Sequence, residues 1–220
     1  HFPQAQGESL PGQVVEVRAL GRRGSASGYF DQFDLLADRA DALDRGGEYD
    51  GVYVTINPVN PALLSRRVNR IEGRLAHRET TTSDRDITRR SWLPVDIDPV
   101  RPSGVSSSDA EHEAALAKAR EVASFLSGLD WPDPVMADSG NGAHLLYRID
   151  LPVDDASRVL VKGVLETLDL LFSDEVCRVD TANFNAGRIW KLYGTWSRKG
   201  DTTRDRPHRV SRILSVPGPV

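Results

Sequence analysis

A mixed α/β (α+β) fold is what the 220-residue sequence predicts, and three observations carry it. Short β-branched stretches such as Gln13 to Leu20 and Gly51 to Ile56 read as strands. Two longer segments place apolar residues at helical spacing, one of them behind a complete capping box. From residue 92 to residue 180 these signals follow one another as strand, helix, strand, strand, helix, strand. With 39% hydrophobic and 27% charged residues the chain is neither disordered nor collagenous, and its length suffices for one domain or two small lobes.

Residues 1–10 read as a loose leader or cloning remnant, and His1 in place of Met reads as a segment excised from something longer. Gln13 to Leu20 is expected to be a strand and Arg22 to Gly28 the turn after it. Asp31 to Leu43 carries Phe33, Leu36, Ala40 and Leu43 at helical spacing and stops at Gly46 and Gly47. A strand over Gly51 to Ile56 is broken by Asn57-Pro58-Val59-Asn60-Pro61, because proline has no N–H for a ladder. Residues 77–91 are polar and read as a surface loop. After the strand Trp92 to Pro99, Ser108 and Glu111 form the capping box of a helix with the stripe Ala115, Leu116, Ala119, Val122, Ala123 and Leu126. Two short strands flank Ser139-Gly140-Asn141-Gly142, an amphipathic helix covers Asp154 to Phe172, and Glu175 to Val179 closes the unit. This is the split β-α-β-β-α-β order of ferredoxin-like and RRM-like folds. The expected organisation is a single domain over 11–216, with an N-terminal lobe over about 11–90 and an RRM-like lobe over about 91–216.

Cys177 is the single cysteine, so no internal disulfide forms, and one Cys with five scattered His gives no zinc spacing. No apolar run approaches the roughly 20 residues a membrane span requires, and no secretory signal opens the chain. A soluble, cytoplasmic protein without a membrane partner is expected. The net charge of −4 excludes a protein that coats duplex nucleic acid by bulk electrostatics. Residues 181–212 nevertheless hold eight Lys and Arg against two Asp. That is either a solvated basic surface or a local anion site.

Asp96 and Asp98 alternate with Val95 and Ile97, so both carboxylates leave one strand face about 6.5 to 7 Å apart at Cα. They repel unless a cation or proton lies between them, and hard oxygens suit Mg²⁺ or Mn²⁺. Alone, the pair equally describes two surface acids ending a strand before Pro99. Asp180 is a third acid, either completing a carboxylate site or capping the next turn of the chain. Within Ser139-Gly140-Asn141-Gly142 the Asn-Gly pair is expected to supply positive-φ turn geometry and N–H groups that can cradle phosphate, and His144 alternates away from Leu145 and Tyr147. Arg188 and Lys191, three apart, are expected on one side of a helical turn, where they suit a triphosphate. Arg198, Lys199, Arg206, His208 and Arg209 extend the basic surface toward template phosphate.

Asp-x-Asp, Gly-Asn-Gly-x-His, Val179-Asp180 and Arg-x-x-Lys, in that order on an RRM-like framework, resemble the archaeo-eukaryotic primase superfamily. Within it the chain resembles the primase-polymerase domains of phages, plasmids and CRISPR-associated loci, through Gly28-Tyr29-Phe30-Asp31, Thr55 to Pro61 and Lys191 to Thr195. The resemblance spans about Val14 to Ile213. It implies a two-lobed primase-polymerase fold whose RRM-like lobe is catalytic. It also implies a DNA-directed nucleotidyltransferase that synthesises and extends primers on single-stranded DNA. Asp96, Asp98 and Asp180 are implied as catalytic ligands of two Mg²⁺ or Mn²⁺ ions, and Ser139, Asn141, His144, Arg188 and Lys191 as contacts to a nucleoside triphosphate, ribo- or deoxy-. Asn57, Asn60 and residues 198–209 are assigned to the template or an initiating nucleotide. Helicase or CRISPR-associated proteins are implied as partners outside the segment. Two alternatives stand beside this: a gap-filling repair polymerase of the same superfamily, and a non-catalytic RRM-like nucleic-acid-binding module. RRM modules bind through exposed sheet aromatics, and the faces at 95–98 and 144–148 carry carboxylates and His144 instead.

Overall fold

Eleven strands and three α-helices make up residues 13–22, 24–75 and 80–218 of a computed structural model, which are the residues it describes. The expected leader lies outside them. In chain order the elements are β1 (Val15–Gly21), β2 (Gly24–Phe30), α1 (Phe33–Gly46), β3 (Gly51–Thr55), β4 (Arg90–Pro99), α2 (Asp109–Ser127), β5 (Val135–Asp138), β6 (Ala143–Leu151), α3 (Asp155–Phe172), β7 (Cys177–Val179), β8 (Ile189–Lys191), β9 (Trp196–Ser197), β10 (Arg209–Val210) and β11 (Arg212–Ser215). Short 3-10 turns occupy Pro61–Arg66 and Asp84–Asp86. The fold class is mixed α+β, with antiparallel sheets.

One sheet has the order β2-β1-β3-β8 and another β11-β5-β6-β4-β7, while β9 and β10 pair separately. Within the five-stranded sheet, β4 and β6 are central and β5 and β7 flank them. This is the ferredoxin-like order of the split β-α-β-β-α-β unit, with β11 added beside β5. Leu93, Val95 and Ile97 of β4 and Leu145 and Tyr147 of β6 turn one face to α2 and α3, where Leu116, Val122, Leu165 and Leu168 complete a core. The opposite face of β4 is left to Asp96 and Asp98. Burying each aliphatic side chain contributes about 1.5–3 kcal/mol, which holds the sheet rigid behind its polar face. A second core joins α1, through Leu36 and Ala40, to Val15, Val17, Ala19 and Val52 of the four-stranded sheet.

The capping box is present in both halves: Glu111 N–H donates to Ser108 Oγ and Ser108 N–H to Glu111 Oε2. Three expectations need correction. The turn expected over Arg22 to Gly28 is instead largely β2, paired with β1 from Val15 opposite Phe30 to Gly21 opposite Gly24. Gly28 is required by crowding, since a Cβ there would overlap the Arg70 carbonyl. The polar loop ends at Arg89, because Arg90 and Ser91 already belong to β4, and Arg90 is buried with its guanidinium donating to Phe184 O. The helical turn expected at 188–191 is the strand β8, which pairs Ile189 to Lys191 with Thr55 to Tyr53. Among the described residues no helix is long and apolar enough to cross a membrane.

Candidate active site

The two sheets meet at a cleft of about 300 Å³. From the five-stranded sheet it receives Asp96, Asp98 and His144, together with Ser139 and Asn141 of the β5–β6 turn. From β8 and its flanks come Arg188, Trp190 and Lys191, and from β3 comes Tyr53. Seven of the eight residues assigned to metal and nucleotide therefore line one cavity.

The acids occupy the strand face that alternation requires. Asp96 stands opposite His144 in the β4–β6 ladder. Burial, reinforced by the charge of Asp98 and, more weakly, of Asp180, pushes the Asp96 carboxyl above the usual range, while His144 opposes the shift. Its Oδ1 lies 3.4 Å from His144 Nε2. Asp98 turns to the buried guanidinium of Arg101, at 3.1 Å. Asp180 comes directly after β7, and its backbone N–H donates to the Asp96 carbonyl at 2.9 Å. Its carboxylate accepts from Ala182 N–H and Asn183 Nδ2, so it also caps the next turn. These separate partners explain why no three His, Cys, Asp or Glu side chains among the described residues form a ready metal cage. The donor chemistry nevertheless fits a hard divalent cation: three carboxylates, of which Asp98 and Asp180 raise the partly buried Asp96, whose charge is incompletely balanced.

The β5–β6 turn differs from its expected role. The positive φ belongs to Gly140, at 89°, and not to the Asn-Gly pair. Gly142 is needed for another reason, since a Cβ there would meet the Ile97 carbonyl and Asp98. The turn's N–H groups are occupied internally: Gly140 donates to Asp138 Oδ1, and Asn141 and Gly142 donate to Ser139 Oγ. They do not form a phosphate cradle. Asn141 Oδ1 accepts from Ser107 N–H, which ties the turn to the start of α2. Asp138 also bonds the buried His112 at 2.8 Å, and these bonds hold its carboxyl below the usual range despite burial.

His144 is buried among aromatic rings. Its ring centroid lies 4.2 Å from that of Trp190, and its Nδ1 is 2.9 Å from the Tyr193 hydroxyl. The same hydroxyl accepts from Trp190 Nε1–H at 2.9 Å. Lys191 is buried too, donating from Nζ to the Trp196 carbonyl at 2.7 Å with the Tyr53 ring 5.4 Å away. Burial, aided by the charge of Arg198 and opposed by Asp44, lowers its ammonium to about 7. Arg188 donates to the Ala182 carbonyl, and its Nε is buried without a partner among the described residues. Arg188 and Ile189 also line an adjoining groove of about 490 Å³, with Arg18 and Asp84.

The residues assigned to template or initiating nucleotide are placed differently. Arg198 bonds Asp44 through its side chain and carbonyl. Arg206 makes a two-pronged pair with Glu111, and Arg209 bonds Asp109 and the Ser107 carbonyl. His208 bonds the Gly200 carbonyl. Asn57 bridges Ala186 O and Ser91 N–H, and Asn60 caps the 3-10 turn at Pro61–Arg66. Of this group only Lys199 lines the cleft.

Sequence reasoning does not single out Tyr53, Asn183 or Tyr193, and it offers Trp190 only as a packing residue. Burial and then the charges of Asp50, Asp96 and Asp98 raise the Tyr53 phenol, which marks it as a neighbour of the acids.

No family model and no curated protein match the chain. Among solved structures, it is similar to the polymerase domain from Mycobacterium tuberculosis Ligase D in complex with DNA. The TM-score is 0.42 and the identity 18%, over 74% of this chain and 53% of that one. The chain thus spans about half the length of that neighbour.

Proposed function

We propose that the cleft is the active site of a DNA primase-polymerase, in a two-lobed arrangement with the RRM-like unit catalytic. In the reaction a 3′-hydroxyl attacks the α-phosphorus of a nucleoside triphosphate, its proton departs, a new P–O bond forms, and the bond to pyrophosphate breaks. The observation that carries this reading is the convergence in one cleft of acids from one sheet with Arg188 and Lys191 from the segment around β8. Acids are suited to hold cations and cations to hold phosphates, and both are required within one triphosphate's length.

Asp96, Asp98 and Asp180 would hold Mg²⁺ or Mn²⁺, Asp98 exchanging its contact with Arg101 to do so. When bound, such ions neutralise phosphate charge and raise the acidity of a coordinated hydroxyl. The chain's own residues bind and orient. Among the described residues Arg188 and Lys191 are hydrogen-bonded only to backbone carbonyls, which leaves their charges for the β- and γ-phosphates. His144 faces the cleft beside Asp96 and is set to donate to a phosphate oxygen. Tyr53, Trp190 and Tyr193 close the floor and limit water at the reacting bond.

The test is nucleotide addition on single-stranded DNA, unprimed and primed, with Mg²⁺ or Mn²⁺ and either ribo- or deoxynucleotides, and Asp96→Ala as control. Products from the unprimed template that vanish in the variant support a primase-polymerase. Extension without initiation identifies a gap-filling enzyme. Binding of the single strand without any product identifies a nucleic-acid-binding module, a reading that the Asp98–Arg101 pair favours.

A further inference from the structure

We propose that Tyr193 is a positioning residue that holds His144 in the tautomer bearing its proton on Nε2, so that the imidazole presents an N–H donor to the cleft beside Asp96. The ligand of that donor, a phosphate oxygen of a nucleoside triphosphate, rests on the nucleotidyl-transfer reading; the tautomer itself does not.

The proton count around the ring selects the tautomer. Trp190 Nε1 is a donor only, and it is 2.9 Å from the Tyr193 oxygen. Tyr193 has one hydroxyl proton, and His144 Nδ1, also at 2.9 Å, is its one acceptor among the described residues. Burial raises the phenol, so that proton stays on the oxygen. All three groups are satisfied in one arrangement: Trp190 donates to Tyr193, Tyr193 donates to Nδ1, and the neutral ring carries its own proton on Nε2. With the proton on Nδ1 instead, the Tyr193 oxygen would face two donors and its hydroxyl proton would have no partner. The ring is held in place by Trp190, whose centroid is 4.2 Å away.

The consequence lies on the other side of the imidazole. Nε2 is 3.4 Å from Asp96 Oδ1, a long contact that leaves the donor available to a better acceptor. Phosphate oxygens only accept, so a bare Nε2 would set lone pair against lone pair, whereas Nε2–H bonds them. Trp190 and Tyr193 thus transmit to the cleft a donor neither supplies directly.

The test reads the ring nitrogens of His144 in the free, full chain with ¹⁵N-labelled histidine, at about pH 8 where an ordinary imidazole is neutral. The His144 signals are assigned by their loss in His144→Gln. The wild type is expected to show an unprotonated Nδ1 and a protonated Nε2. Tyr193→Phe is expected to convert His144 to a mixture of tautomers and to raise the Kd for dATP with Mg²⁺ by the reciprocal of the remaining Nε2–H fraction, about twofold for an even mixture. Trp190→Phe keeps an aromatic ring but removes the N–H, and should shift the tautomers in the same direction by less. A wild-type proton on Nδ1 or ring nitrogens unchanged in Tyr193→Phe would each overturn the assignment, whereas a changed tautomer with unchanged dATP affinity would overturn phosphate as the ligand and leave the tautomer standing. The wild-type spectrum and Trp190→Phe decide the matter if Tyr193→Phe does not fold. Because the spectrum is taken without nucleotide, a protein with the expected tautomer but no nucleotide addition refutes the polymerase reading alone.

Discussion

The cations of the cleft and the cations beyond it differ in what they touch. Arg198, Arg206 and Arg209 each meet a carboxylate, from Asp44, Glu111 and Asp109. Arg188 and Lys191, only a few residues earlier, hydrogen-bond to backbone carbonyls, and Asp44 reaches Lys191 only through space, short of offsetting its burial. The first set ties the β9–β10 segment to α1 and α2. The second set faces Asp96 across the cleft. A charge paired with a carboxylate within the fold builds the wall of a site, and a charge without a bonded carboxylate on the cleft lining is available to a ligand. Five of the eight cations of residues 181–212 therefore fall into two populations with different work.

The largest test of that division is Asp96, the acid with the least balanced charge. Asp96→Asn keeps the shape and an acceptor for His144 but loses the charge. It should reduce nucleotide addition by at least roughly a hundredfold, on the scale of one lost electrostatic contact at a reacting centre. The same variant should melt higher than the wild type at pH 7 in chelator. Folding raises the Asp96 carboxyl above its ordinary value, so stability present below the ordinary range is lost as pH rises through the raised value. At pH 7, above the ordinary carboxylate range, the wild type therefore carries a cost that the Asn variant lacks, and the difference should vanish below about pH 4. Paired primer-extension and melting measurements check both halves. A variant that loses activity and also melts lower at pH 7 would make Asp96 a structural acid.

The next test sets Arg188→Ala against Arg206→Ala. Removing Arg188 should weaken dATP binding about tenfold, the worth of a charge-assisted contact to phosphate, with little change in melting. Removing Arg206 should lower the melting temperature, because Glu111 loses a two-pronged partner that also joins Ser106 to the β9–β10 segment. Its effect on dATP should be small. Calorimetric titration beside thermal melting separates them. Equal losses of dATP affinity would mean that pairing with Glu111 does not withdraw Arg206 from the ligand.

Why one population is legible in the sequence and the other is not depends on the range of the interactions. The capping box of Ser108 and Glu111 lies within one helical turn and is readable, as is the alternation that sends Asp96, Asp98 and His144 away from the core. The order of β4, α2, β5, β6, α3 and β7 is readable because each element carries its own periodicity. The second partner of Glu111, Arg206, lies nearly a hundred residues on and leaves no local trace. β8 reads as a helical turn in the sequence because its strand geometry is imposed by β3, far away in the chain. β2 reads as a turn because Gly24 to Gly28 has turn composition, and only the neighbouring Arg70 backbone explains why Gly28 is needed there. The Asn141-Gly142 pair points to the correct loop for a mistaken reason, since its N–H groups serve Ser139 rather than a ligand.

The smallest expected effect comes from Lys191, and it tests the boundary between the two populations. Its ammonium is lowered to about 7, first by burial and then by Arg198, from the ordinary lysine value of 10.5. The unfolded chain keeps that proton up to about 10.5 while the folded chain releases it near 7, so the unfolded state binds more protons throughout the interval. Stability should accordingly rise with pH from about 7 toward 10, an increase that Lys191→Met should lack because the thioether replaces the stem without the charge. Urea midpoints of both proteins at pH 7 and 9 measure this. If Lys191 also holds phosphate, a bound triphosphate restores its charge. Binding of dATP at pH 8 should then take up a fraction of a proton, seen as a heat that depends on the ionisation enthalpy of the buffer, and Lys191→Met should reduce that uptake. A rising stability curve with no difference in uptake would leave Lys191 as a strut between β8 and the Trp196 carbonyl. It would then belong with Arg198 and Arg206 in the wall, and Arg188 alone of the two would remain for the ligand.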